Sequence, residues 1–466
     1  MSSRSPSPLN LQTRKWISRL CITLLPSFVQ PYVTRHPNKV AQLHPTSWLD
    51  GIRGFASVAV FICHFVMPFH DRQDWGYGAI EPEGPDDKNR WKAQLPIFRL
   101  VYSGGAMVNL IFVISGFALS YKPIKLLRDR DWDRLFQTMS SASFRRLIRI
   151  SYPMVMGTFM AFVLIRLGVY EWFRKYNPGI PFRHPTIWPQ FWSWLSQTGH
   201  QMDFLGPTLD LEHRVWNEYG PQTWTVPLEL RCSFILFILI IALCRTKVYV
   251  RFSILVAISC HCVRRGYWEV LCFLLGMMLS ELEHIRQESA SKRLPNKELI
   301  EEQKTPASAD LKWICAFVFS LFLLSSPNRY PDLTPGYGLL DSINPLPNEH
   351  PRFWPIMGSC LLIWSVANCL RLQSLFTTRF AQYLGQVSYS LYLTHGILND
   401  TVEFMVIEKV WAITGKDTVY RYELGWSIMF VVMLPLVFWV ADLFWRGVDL
   451  KSITLSRWVE KKLCFV

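Results

Sequence analysis

Charge is scarce in this chain. Only 18% of its 466 residues are Asp, Glu, Lys or Arg, where a soluble domain carries about a quarter. The length alone would allow two or three soluble domains. The scarcity of charge, with half the residues apolar, excludes that reading. Acid is scarcer than base, 35 residues against 49, for a formal net charge of +14. Such a balance can signal nucleic acid, but no nucleic-acid-binding motif accompanies it, and nucleic acid is not an expected partner. A disulfide framework is also lacking. The 11 cysteines are scattered. Cys63, Cys232, Cys244, Cys272, Cys315, Cys360 and Cys369 lie inside apolar runs and read as small hydrophobes. Cys260-His261-Cys262 is metal-like in composition, but residues two apart on a helix point to different faces, so no metal site is expected. No secretory leader is legible: residues 1–10 are Ser/Pro-rich and lead to no apolar core before a small-residue cleavage site.

What the chain has is long apolar runs and aromatics, with 20 Trp and 31 Phe. Aromatics of this density suit membrane interfaces, and the runs suit spans of about 20 residues. The pattern predicts an all-α, polytopic transmembrane helical bundle of about ten spans: 51–70, 103–121, 150–168, 226–244, 248–263, 266–283, 311–326, 354–371, 380–399 and 426–446. The fifth is the weakest, being short and ending in polar residues. Residues 1–46 form an N-terminal tail. Within it, 11–30 places Arg14, Lys15 and Arg19 beside Trp16, Leu20, Leu24, Leu25 and Phe28, as in a short interfacial helix. Segment 284–310 is charged and loosely patterned and reads as a flexible cytosolic linker. Residues 447–466 form a C-terminal tail.

Loop charge sets the orientation. Loop 122–149 carries eight basic residues against three acidic ones, and loop 245–247 has Arg245 and Lys247 with no acid. The opposite loops 71–102, 169–225, 327–353 and 400–425 each hold at least as many acids as bases. Both termini are therefore expected in the cytosol, and an endomembrane such as the endoplasmic reticulum is the expected location. Arg264-Arg265 breaks the rule by falling on the outer side. Loop 169–225 is rich in Trp and Pro. It reads either as a folded cap on the membrane surface or as an interfacial anchor with no part in chemistry. Asn399-Asp400-Thr401 is a glycosylation sequon at the very end of span nine, too close to the membrane to carry much glycan.

The polar residues inside the spans carry the functional signal. Arg53 and His64 are eleven residues apart in span one. Eleven steps of about 100° make about three turns plus about 20°, so the two share a helix face, about 16 Å apart along it. Ionisable residues in an apolar helix are costly and are functional by default. The plainer reading is a snorkelling arginine and a packed histidine. Glu229 in span four and His395 in span nine fall, like His64, in the outer half of their spans. Arg146 and Arg149, spaced i,i+3, share a face at the cytosolic end of span three and join Arg53 in a basic layer. That layer equally fits a positive-inside signal alone. An anion held by arginine at one end with its reactive end near His64 unites the two layers. Acyl-CoA has that form, and guanidinium forks suit its phosphates. No bound cofactor is expected beyond this co-substrate.

Arg53-x10-His64, Ile114-Ser115-Gly116-Phe117, Arg146-x-x-Arg149, Trp224-Thr225-x-Pro227-x-Glu229 and Gly385-x-Val387-Ser388-Tyr389-Ser390-Leu391-Tyr392-Leu393-x-His395 resemble, in order, the motifs of the acyltransferase-3 family of integral-membrane O-acyltransferases. The resemblance covers about residues 47–445, and within the family the chain looks similar to fungal members of about this size. It implies a ten-span bundle that moves an acyl group, usually acetyl, from acyl-CoA to a hydroxyl. It implies a catalytic role for His64 and an essential one for Arg53. An appended esterase-like domain, which some bacterial members carry, is not expected here. The acceptor is expected to be a small lipophilic alcohol, such as a terpenoid or polyketide secondary metabolite, with a sterol or a glycan precursor as alternatives. His64 is expected to act as general base or to carry the acyl group, with Glu229 orienting its imidazole and His395 assisting. Arg53, Arg146 and Arg149 are expected on the CoA phosphates. The rival from another class is a transporter or flippase, but no inverted repeat or matched pair of broken spans is visible.

Overall fold

The computed structural model describes residues 21–34, 43–80, 89–206, 217–293, 307–346 and 351–464. Among them there are helices and no strands. The principal helices are α1 (Ser47–Val66), α2 (Gly104–Arg128), α3 (Trp132–Arg166), α4 (Ile187–Met202), α5 (Thr225–Ala242), α6 (Val248–Arg265), α7 (Trp268–Arg293), α8 (Ala307–Leu324), α9 (Phe353–Ala367), α10 (Arg379–Leu398), α11 (Phe404–Thr414), α12 (Val419–Phe444) and α13 (Leu450–Leu463).

All ten predicted spans fall on helices. Among the described residues, five stretches are long and apolar enough to cross a membrane by themselves: Ser47–Val66, Gly104–Arg128, Trp132–Arg166, Pro221–Ala242 and Val419–Leu463. A sixth counts if α9 and Leu370–Phe376, bent by 107°, are one broken span. Polar residues in other helices face protein. In α6, Arg251 is 1% exposed and is held by Glu281 of α7 and the Thr246 carbonyl. In α10, Ser388, Ser390, Thr394 and His395 are all buried. A helix ringed by other helices need not be apolar all round.

Lipid tails are as apolar as Leu, so close packing rather than the hydrophobic effect draws such helices together. Glycines permit it. A Cβ added at Gly54 of α1 would meet the Gly385 nitrogen of α10 at 2.5 Å, and one at Gly385 would meet the Asp50 carbonyl oxygen at 2.5 Å. The α2–α7 crossing uses the same device: Gly116 abuts the Phe273 carbonyl and Gly276 the Val113 carbonyl. Around these crossings Ile114, Phe117, Leu236 and Met277 fill one continuous core.

Three expectations are corrected. Segment 122–149 is mostly helix, with α2 reaching Arg128 and α3 beginning at Trp132. Arg146 and Arg149 therefore sit well inside α3. The reading of 284–310 as a linker fails for its last four residues, because α8 begins at Ala307, and for its first ten, because α7 continues to Arg293. Their charges are paired, Arg286 with Glu283 at 2.5 Å and Glu288 with Arg128 at 2.5 Å, and His284 bonds the Tyr121 carbonyl. Residues 294–306 lie outside the described residues. The C-terminal tail is α13, joined to α12 by a π-helical turn, with Glu460 paired to Arg145 at 3.4 Å.

Of the predicted interfacial helix, residues 11–20 lie outside the described residues. Its remainder clips onto α12. Ser27 donates through its backbone N–H and its hydroxyl to the buried Asp442 carboxylate, the latter at 2.5 Å. Trp439 and Arg446 donate to the Leu24 and Leu25 carbonyls. The 169–225 segment is a folded cap where described. Trp194 of α4 donates to Thr158 of α3, Gln201 and Asn217 bond each other, and Tyr170, Phe173, Ile180 and Tyr219 pack with Phe162 and Ile397. Residues 207–216 lie outside the described residues.

Candidate active site

The three predicted arginines line one cavity of about 220 Å³, enclosed by α1, α2, α3, α5 and α10. On α1 its wall is Arg53, Ser57 and Val60; on α10 it is Gly385, Ser388, Tyr389 and Tyr392. Both runs follow one helix face. Arg53 donates to Ser388 Oγ at 3.2 Å and the Gly385 carbonyl at 3.2 Å, and pairs with Asp50 at 3.0 Å. Arg149 makes no hydrogen bond or ion pair among the described residues, and Asp449 also lines the cavity.

Glu229 lines this cavity as well, and its hydrogen bonds go to other partners than the imidazole. Arg146 donates to its carboxylate at 2.6 Å and to Ser233 at 3.1 Å, and Ser115 donates to Glu229 at 3.3 Å. No hydrogen bond joins Glu229 to His64 among the described residues. Depth along separate helices gives no azimuth, and the long Arg146 side chain, rising from inside α3, reaches Glu229 first.

The two histidines meet instead. One turn beyond Val60 on α1 stands His64; one turn beyond Tyr392 on α10 stands His395. His64 Nδ1 lies 3.0 Å from His395 Nε2, with the rings stacked at 5.1 Å and 16°. Neither histidine lines the cavity wall, but both continue its two faces. His395 Nδ1 is 2.9 Å from the Leu391 carbonyl oxygen. A carbonyl only accepts, so that nitrogen carries the hydrogen. In the neutral ring, His395 Nε2 is then an acceptor. His64 Nδ1 must donate to it, which leaves the lone pair on His64 Nε2. His64 Nε2 makes no hydrogen bond among the described residues, and His64 is partly exposed where His395 is buried. The arrangement presents one oriented base at the end of a basic cavity. Tyr392 lines the cavity, its hydroxyl 2.7 Å from Thr225 Oγ1 and bonded to the Gln222 carbonyl.

These motifs stand where comparison with known proteins decides the family. Residues 46–446 match the acyltransferase-3 family, described as an acyltransferase domain. The chain belongs to that family. It is 30% identical over 453 residues to the O-acetyltransferase PaAT-1 of Phomopsis amygdali, covering 93% of this chain and 88% of that one. It is 23% identical to the acyltransferase clz18 of Cochliobolus lunatus over 440 residues, and 23% to the acyltransferase R4 of a Phoma species over 442, each spanning 87% of this chain and 93% of the relative. No solved structure matches it. The acyltransferase is an integral membrane enzyme of fungal kinship that transfers groups other than aminoacyl groups, and the transporter reading is set aside.

Several residues at the site had a readable signal that motif spacing alone passes over. Ser388, Tyr392, His395, Asn399 and Glu403 recur every three or four positions on α10 and the π-helical turn after it. Asn399, read in the sequence as a sequon, is 6% exposed, and Glu403 is 0% exposed. Cys260 and His261 are exposed while Cys262 is buried, so the three point apart on α6.

Proposed function

We propose that this acyltransferase moves an acetyl group from acetyl-CoA to a hydroxyl of a small lipophilic alcohol, with His64 as general base. The observation that carries the reading is the ordered pair His64–His395 one turn beyond a cavity lined by Arg53, Arg146 and Arg149. The acceptor hydroxyl gives its proton to His64 Nε2 as its oxygen attacks the thioester carbonyl. The carbon–sulfur bond then breaks, and the CoA thiolate takes the proton back from His64. Throughout, His395 Nε2 accepts from His64 Nδ1–H and stabilises the positive charge that His64 gains, the part a carboxylate plays in a hydrolase triad.

The phosphates sit at the arginines. Arg149 is the best placed, since Arg53 already bonds Asp50 and Arg146 holds Glu229. At about 220 Å³ the cavity is smaller than ligand sites of about 300–1,000 Å³. It fits the pantetheine arm with the nucleotide outside. Acetyl as the group follows the name of one fungal relative, an O-acetyltransferase; a lipophilic acceptor such as a secondary metabolite is this reading's own choice. The arginine end faces the cytosol, both termini with it, in an endomembrane such as the endoplasmic reticulum. Protein purified in detergent, given acetyl-CoA and a panel of lipophilic alcohols, should release CoA with formation of an acetyl ester. Acetyl-CoA that stays intact with every alcohol while binding at the cavity would overturn the reading.

A further inference from the structure

The polar face of α10 does not stop at His395. It continues onto the π-helical turn Asn399–Glu403, where four buried polar atoms have no hydrogen-bond partner among the described residues: Asn399 Nδ2 and Oδ1, and both Glu403 carboxyl oxygens. Asn399 is 6% exposed and Glu403 is 0% exposed. Leaving a buried polar atom unmatched costs about 1–3 kcal/mol, and a lone buried carboxylate costs more. Four on adjacent turns are therefore unlike ordinary core residues. Helical side chains lean toward the helix N-terminus, so Asn399, four residues after His395, leans back toward the histidine pair. The turn is held from outside by Asn177 of the cap, which donates to the Asp400 carbonyl at 3.1 Å, and from within by Thr401, which donates to the Ile397 carbonyl one turn back. π-Turns of this kind are frequent at functional sites.

On the basic side of the histidines lies the cavity assigned above to acyl-CoA. Asn399 and Glu403 lie on the opposite side, beneath the cap. Resting on the acyl-transfer reading, we infer that Asn399 and Glu403 bind a second polar group of the acceptor, a hydroxyl or an amine, set apart from the hydroxyl that is acylated. At about 1.5 Å per residue, four to eight residues beyond His395 place that group about 6–12 Å from the reacting oxygen. The acceptor class is a diol or amino alcohol with an apolar middle. Asn399 offers one donor and one acceptor and Glu403 a further acceptor, which a bare monoalcohol leaves unmatched. Selection against an acceptor lacking the second group follows from the same orphaned atoms.

The test uses the full-length protein in detergent and the lipophilic reagent dicyclohexylcarbodiimide, which a carboxyl group adds to across its N=C bond with no leaving group. Modification of Glu403 is followed by peptide mass spectrometry, with Glu403→Gln as the unlabelled control. A ligand site must admit the reagent despite full burial, so Glu403 should be modified. Modification should slow at least about tenfold more with 1,8-octanediol, whose hydroxyls span about that distance, than with 1-octanol. Asn399→Leu should remove most of that difference, as loss of a hydrogen bond to the diol is worth about tenfold. Glu403 that stays unmodified in the folded protein, or equal protection by the two alcohols, would overturn the proposal. Failure of the acyl-transfer reading shows elsewhere, as acetyl-CoA turnover that survives His64→Ala.

Discussion

Replacing His395 by Leu removes the acceptor that fixes the His64 tautomer. The change keeps the apolar volume close and leaves His64 itself intact. His64 Nδ1–H then has no partner. Either it stays buried and unmatched, at about 1–3 kcal/mol, or the proton moves to Nε2 and the base is lost. The first outcome lowers kcat about 5- to 160-fold by the exponential of that energy over RT. The second approaches the about 10²–10⁴-fold of losing a general base. His395→Gln offers an amide oxygen to His64 and an amide N–H to the Leu391 carbonyl, so it should recover a large part of the loss. The assay is CoA release by purified protein, with kcat and KM for acetyl-CoA measured separately. KM should hardly move, because His395 does not line the arginine cavity. A Leu variant within twofold of wild-type kcat would refute the tautomer argument.

Other outcomes follow from the same geometry. Arg149→Ala should raise KM for acetyl-CoA at least about tenfold, the worth of a hydrogen bond to a charged group, with a smaller effect on acceptor KM; an unchanged acetyl-CoA affinity would make Arg149 an orientation signal only. Arg146→Ala and Glu229→Ala should each destabilise the protein more than the double variant does, since each alone leaves a lone charge by the cavity, and thermal melts in detergent read the difference. Gly54→Leu or Gly385→Leu should cost at least about 1–3 kcal/mol and reduce the monodisperse fraction on size exclusion, because the added side chain meets backbone of the facing helix. In sealed microsomes, an impermeant maleimide should label exposed Cys464 and spare exposed Cys260, and the reverse would invert the orientation.

How much of this was legible in sequence varies by residue. The eleven-residue spacing placed Arg53 and His64 on one face of α1, and that face does run along the cavity to the histidine pair. Depth arithmetic set His64, Glu229 and His395 at one level, and of these His64 and His395 meet across neighbouring helices. It failed for Glu229, because depth ignores which way a side chain points and how far an arginine reaches. The charged stretch after residue 283 read as a linker because composition cannot show that Arg286, Glu283, Glu288 and Arg128 satisfy one another on a helix. Asn399 reads in the sequence only as a sequon, and Glu403 carries no signal of its own there. Only burial reveals that they have no partner.

The central claim is that His64 takes the acceptor's proton at the end of an acyl-CoA cavity. The direct measurement is acetyl transfer, read as CoA release with product mass, by wild-type protein and by His64→Ala purified in the same detergent. The account expects the variant to elute and bind acetyl-CoA as wild type does, while transfer falls at least about 100-fold, the low end of a general base's contribution. Retention of more than about a tenth of wild-type turnover would contradict it.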